Sequence, residues 1–152
     1  DAKLTETEEM IKIEKSWDKN DAVSVKFNFE IEQISQPESK TVKDSGVYFK
    51  RGPLVYALPF EDKKKTVKEY GNSGFYRYKI KAVDSTGWHY KVNTGDEFKY
   101  VSNNQENIHP WDEPIVKLKG TLRTSENEKK EVELVPMGNT IFRRVTFSVI
   151  HE

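Results

Sequence analysis

The densest run of chemistry-bearing residues is His109-Pro110-Trp111-Asp112-Glu113, which places an imidazole, an indole and two carboxyl groups side by side. Two carboxyl groups beside an aromatic platform are the equipment of a glycosidase, one giving a proton while the other attacks or activates water. Adjacent residues of an extended chain point to opposite sides, so Asp112 and Glu113 do not readily face one bond. The simpler expectation is a loop entering a strand at Ile115, with Trp111 as a packing anchor. Asn93-Thr94-Gly95-Asp96-Glu97 offers oxygen ligands for calcium but lacks their alternating spacing, so a hairpin turn is expected there. His89, His109 and His151 show no metal-ligand spacing, and the chain has no cysteine. No metal site, disulfide, thiolate nucleophile or cofactor is therefore expected. There is also no nucleophile elbow, phosphate loop or dinucleotide fingerprint.

The aromatic residues Tyr76, Tyr78, Trp88, Tyr90 and Trp111 could stack on sugar rings. The same residues at alternate positions fit the inner face of a sheet, and core packing is the expectation for Trp88 and Tyr90. Arg51, beside Gly52-Pro53, is expected to meet a carboxylate from a neighbouring strand or domain. Arg143 shares the apolar parity of the last strand and needs a partner or a place at an edge. Arg51, Trp88, Trp111 and Arg143 are thus the candidate core or interface anchors.

The elements that would position these residues are strands. Val23, Val25, Phe27, Phe29 and Ile31 alternate with Ser24, Lys26, Asn28 and Glu30, a strand with one wet face. Val47-Tyr48-Phe49 leads through Lys50-Arg51-Gly52 into Pro53 to Phe60, apolar on both parities and expected to be covered on both sides. Tyr76 to Ala82, Trp88 to Val92, Val116 to Leu122, Val132 to Val135 and Ile141 to Val149 continue the pattern. Thr5 and Glu8 resemble a helix cap, yet Ile11 and Ile13 alternate with Lys12 and Glu14, which favours a strand. Glu61 to Lys65 and Ser125 to Glu131 are expected to be solvated hairpin loops. Turn residues separate the runs at 19–21, 44–46, 71–74, 84–87, 93–96 and 136–139.

About eight to ten short strands with turn signals between them are the signature of a β-sandwich or barrel, and the favoured expectation is one all-β domain over residues 1–152, an antiparallel, jelly-roll-like β-sandwich. The 152 residues carry 25 Lys/Arg and 25 Asp/Glu, so zero net charge gives no reason to expect nucleic-acid or anionic-membrane binding. No apolar run approaches the length of a membrane span, and the N-terminus reads as a trimmed end.

Four stretches together resemble a known family: Trp17-Asp18-Lys19-Asn20-Asp21, Arg51-Gly52-Pro53-Leu54-Val55-Tyr56, Gly87-Trp88-His89-Tyr90, and Leu134-Val135-Pro136-Met137-Gly138-Asn139-Thr140 running on to Phe147. They are similar to W-x-x-G-D, R-G-P-L-V-Y, S-P-W-N-Y and L-V-P-Y-G-x-T-x-L-R-x-T-x-F in the C-terminal β-sandwich region of the β-L-arabinofuranosidase-like glycosidases (glycoside hydrolase family 127 and relatives). Asn20, Met137 and His89 stand where Gly, an aromatic residue and Asn are usual. In that family catalysis belongs to a preceding helical toroid with a cysteine nucleophile and a cysteine-rich zinc site, neither of which this chain contains. The resemblance therefore implies a non-catalytic accessory domain of an exported (periplasmic or extracellular) glycosidase, with the catalytic domain of the same parent chain as partner and a homodimer as a further option. The runner-up is a carbohydrate-binding module for plant-type polysaccharide or oligosaccharide, using Trp88, Tyr90 or Trp111. A stand-alone hydrolase built on His109, Asp112 and Glu113 comes third.

Overall fold

The computed structural model describes residues 2–36, 46–84, 86–93, 95–103 and 113–150. Its elements are β1 (Lys3–Glu6), β2 (Ile11–Glu14), β3 (Ile31–Gln36), β4 (Gly46–Arg51), β5 (Leu54–Pro59), β6 (Asp62–Glu69), β7 (Tyr76–Ala82), β8 (Lys91–Asn93), β9 (Lys99–Ser102), β10 (Val116–Arg123), β11 (Lys129–Pro136), β12 (Arg143–Arg144) and β13 (Phe147–Ile150). Short 3-10 turns cover Thr86–His89 and Met137–Asn139. The protein is all-β, as the alternation predicts; among the described residues no helix is long and apolar enough to cross a membrane.

The sheet closes on itself, which differs from the expected open two-sheet sandwich. β5, β11, β10, β8, β13 and β4 pair in that order, and β4 pairs back to β5, giving a six-stranded ring. β3 extends the ring from β4, β9 from β10 and β12 from β5. One pair departs from the antiparallel rule: β13 runs parallel to β8, with Val149 opposite Val92. The difference has a plain cause. Alternation fixes which side chains face inward, while the choice of neighbouring strand depends on which edges meet.

The interior holds Val47, Phe49, Tyr56, Leu58, Val92, Phe98, Leu118, Leu122, Leu134 and Phe147. Phe49 sits at its centre, its ring centroid 4.4 Å from that of Phe98 and 6.2 Å from that of Phe147. Tyr56, Ala57 and Leu58 are all buried in succession, so β5 is covered on both faces as its sequence predicts. The β4–β5 connection turns at Gly52, where φ is +57°, a region that favours glycine. The Phe29 ring lies so close that a Cβ at Gly52 would fall 2.7 Å from Phe29 Cδ2.

Two expected core strands lie outside this ring, and two others enter it only in part. Residues 22–30 alternate like a strand but belong to none, and Val25 and Phe27 are 65% and 69% exposed. β4 ends at Arg51, opposite Ile31, so no edge remains to receive the residues before Ile31. β6 and β7 form a separate two-stranded ribbon, which makes a strand of the Glu61–Lys65 stretch expected to be a loop. Trp88 and His89 belong to a 3-10 turn, not a strand. The final strand is split into β12 and β13, and Ile141 is exposed. The strand reading at Ile11–Glu14 agrees with β2, which forms a hairpin with β1.

Candidate functional site

Trp88 is reached from β5. That strand ends at Pro59, opposite Arg143 of β12, and the Phe60 N–H continues the pairing by donating to the Phe142 carbonyl at 2.8 Å. Phe60 and Phe142 are thereby fixed next to each other, and Trp88 packs on both. Its ring stacks on Phe60 at 4.6 Å with 24° between planes, and meets Phe142 edge-on at 6.0 Å. Gly87 permits the approach, since a Cβ there would fall 2.6 Å from Phe60 Cε1. Trp88 remains 38% exposed, so the expectation of core packing holds only in part. A stacked, half-exposed indole is rigid and presents ring surface at low entropic cost.

Tyr90 follows the core reading more closely and packs against the ring interior. With His89 it also borders a recess of about 280 Å³, closed on the far side by Thr124, Ser125, Glu126 and Glu128 of the β10–β11 hairpin. Thr124 Oγ1 is committed to that hairpin, accepting from the Glu126 and Glu128 N–H groups. His89 and the two glutamates add polar groups suited to hydroxyl-rich ligands.

The two arginine anchors meet no carboxylate among the described residues. Arg51 lies over the Tyr100 ring, 3.7 Å from its centroid. Arg143 Nη1 donates to the Thr140 and Ile141 carbonyls, so it resolves its place on the apolar parity by capping its own chain. Its neighbour Arg144 is the cation drawn inward: Nε donates to the Thr146 carbonyl at 2.8 Å, while Nη1 is buried with no hydrogen-bond partner among the described residues. Burial lowers the Arg144 pKa. Among the described residues the Tyr56 hydroxyl is also buried without a partner, and burial, reinforced by Tyr100, raises its pKa.

His109, Trp111, Asp112 and His151 lie outside the described residues. The carboxylates nearest to a catalytic arrangement line an open depression of about 570 Å³ on β9, β10 and β11, where Glu97, Glu131 and Glu133 face Lys99 and Lys119. Glu133 is gripped there by Lys119 at 2.8 Å and Lys117 at 2.9 Å, and hydrogen bonds from the two hold its pKa down. A proton-donating carboxyl needs the opposite shift. The chain turns between β8 and β9, with the Asp96 N–H donating to Asn93 O and the Asp96 carboxylate 3.4 Å from Arg123 Nε, but not as the expected hairpin, since both strands pair with β10 instead of each other. Among the described residues no cluster of metal-ligating side chains occurs.

Phe60, Phe142 and Tyr100 are the partners that sequence reasoning missed. Phe60 ends an apolar run that is legible in the sequence, but its contact with Phe142 joins positions far apart in the chain. No protein-family model, curated protein or solved structure matches this chain.

Proposed function

We propose that the chain is a non-catalytic accessory β domain of an exported glycoside hydrolase, which packs against a helical catalytic domain of the same parent chain. Two observations support the reading. The four motif stretches resemble the C-terminal region of the β-L-arabinofuranosidase-like glycosidases. The observation that carries it is the stretch 22–30: a strand-like apolar stripe of Val23, Val25 and Phe27 that pairs with nothing among the described residues. Phe27 and Phe29 stack at 5.5 Å with only 4° between planes, so the stripe is ordered before anything covers it. An apolar stripe of this kind marks an interaction surface.

Hydrogen exchange tests the proposal. The isolated chain should exchange the amides of 22–30 almost without protection. Joined to the helical catalytic domain of the proposed parent chain, the same amides should slow by about tenfold or more, because docking closes them to solvent. Unchanged exchange would reject the docking role.

A carbohydrate-binding role is favoured by a separate observation, the half-exposed Trp88, stacked on Phe60 and next in the chain to His89, which lines the recess with Tyr90. Neutral xylan or arabinan fragments should then shift tryptophan fluorescence, and Trp88→Ala should abolish the shift. No response to either glycan removes this reading.

A further inference from the structure

The β6–β7 ribbon carries an unusual charge arrangement. Its register sets Lys63 opposite Lys81, Lys65 opposite Lys79, and Lys68 opposite Arg77. Directly opposed residues of an antiparallel pair share a face, so six cations line one side of the ribbon in three like-charged rungs. An irregularity between Thr66 and Lys68 builds this face. In an unbroken ladder Lys68 would oppose Tyr76 on the other side; the bulge brings it round to Arg77. All six cations are exposed, and none forms an ion pair among the described residues. The opposite face is aromatic: Tyr76 packs on Tyr78, and Lys64 lies over the Tyr78 ring at 3.8 Å.

Like charges placed directly across a ladder destabilise it, and a lone two-stranded ribbon is marginal in water. A bound polyanion would relieve both problems. Residues 62–82 hold seven Lys/Arg and two Asp/Glu, a net +5 in a neutral chain, so the remainder carries −5.

We infer that this ribbon is a binding arm for a linear acidic polysaccharide, a polymer with a carboxylate on each sugar. The choice of a sugar polymer rests on the carbohydrate-associated reading above, and three features of the arm agree with it. Five of the six cations are lysines, flexible point charges that suit separated carboxylates. The cationic face has no Asn or Gln to read base edges, and the strand aromatics Tyr76 and Tyr78 lie on the other side, leaving only Tyr70, at the turn end, against Lys68 at 5.2 Å. The rungs span about 15 Å, over which a DNA duplex presents about nine phosphates at ~1.7 Å per charge. So broad and dense a polyanion would also press on the acidic body, whereas a single thin chain lies along the ribbon alone.

The test is binding of an end-labelled polygalacturonate oligomer to the whole protein, beside duplex DNA, polyglutamate and neutral xylan. Polygalacturonate should bind more tightly than DNA or polyglutamate, and weaken by about tenfold or more on raising salt to about 0.5 M, where exposed charges are screened. Lys63→Thr/Lys65→Thr/Lys79→Thr/Lys81→Thr should lose about tenfold or more, while Lys3→Ser/Lys26→Ser/Lys129→Ser/Lys130→Ser, which removes the same charge elsewhere, should not. Threonine favours strands and removes the opposed charges, so the first variant keeps its ribbon; circular dichroism checks this. Tighter binding to DNA or polyglutamate, no binding to polygalacturonate, or equal binding by both variants would overturn the inference. A xylan response lost only in Trp88→Ala would meanwhile leave the carbohydrate-associated reading standing, so the two fail separately.

Discussion

The β10–β11 hairpin and the stretch 22–30 have the same kind of sequence and opposite fates. Leu118, Leu122 and Leu134 alternate with polar residues and are fully buried. Val23, Val25 and Phe27 alternate just as cleanly and are more than half exposed. Both stripes face one way; only the first has a ring of strands to face. The ribbon gives a third outcome, since β6 and β7 pair with each other and, among the described residues, with no other strand. Alternation thus defines a face, and burial depends on whether another part of the chain arrives to cover it.

The largest test of this contrast compares truncations. Phe147→Ala or Leu134→Ala should cost about 3–5 kcal/mol in denaturant unfolding, because each leaves a cavity in a closed interior. Phe27→Ser should change stability by about 0.5 kcal/mol or less. A comparable loss at Phe27 would show that the stripe is already covered.

The turns allow a finer comparison. Gly52 and Gly71 have the same φ of +57°, but Gly52 lies under the Phe29 ring while a Cβ at Gly71 would meet nothing within 4 Å. Each valine substitution should cost about 1–2 kcal/mol of backbone strain. Gly52→Val should cost about 1–3 kcal/mol more, from the overpacked contact. Equal melting shifts would mean that Phe29 gives way freely.

Tyr56→Phe should raise stability by about 1 kcal/mol, because it removes a buried hydroxyl that has no partner among the described residues. A loss on this substitution would mean that the hydroxyl makes a bond after all.

The smallest effect belongs to Glu133, whose pKa lies below its ordinary value of 4.5 because Lys119 and Lys117 hold the carboxylate. The native state favours the charged form, so its contribution is complete above pH 4.5 and is lost as pH falls through the lowered value. Glu133→Gln should therefore cost a few tenths of a kcal/mol at pH 7, screened by water, and nothing at the acidic end. A cost that persists in acid would point to packing instead of charge.

Much of the fold was legible. Leu118, Leu122, Val132 and Leu134 read correctly because long strands repeat their period often enough to be clear. The turn at Pro136–Asn139 read correctly because turn chemistry is local, whereas the run from Val47 to Phe60 was not divided at Gly52-Pro53, where β4 turns back to pair with β5. Trp88 was misplaced in a strand because its 3-10 turn rests on Phe60 and Phe142, contacts that local periodicity does not record. Arg143 needed a partner or a place at an edge, and it has both: β12 ends the sheet order, and the Thr140 and Ile141 carbonyls accept from its Nη1. The cationic face of the ribbon was hidden by the bulge, since Lys68 joins Arg77 only in the paired register.

By itself the sequence determined that the chain is built of strands, and which side of each strand is apolar. Both follow from steric preference and from a two-residue period that every segment carries alone. Tertiary structure decided that six strands close into a ring, that 22–30 is left bare, and that six cations share one face of a ribbon. These depend on register and on which edges meet, and strands distant in the chain settle both only by pairing.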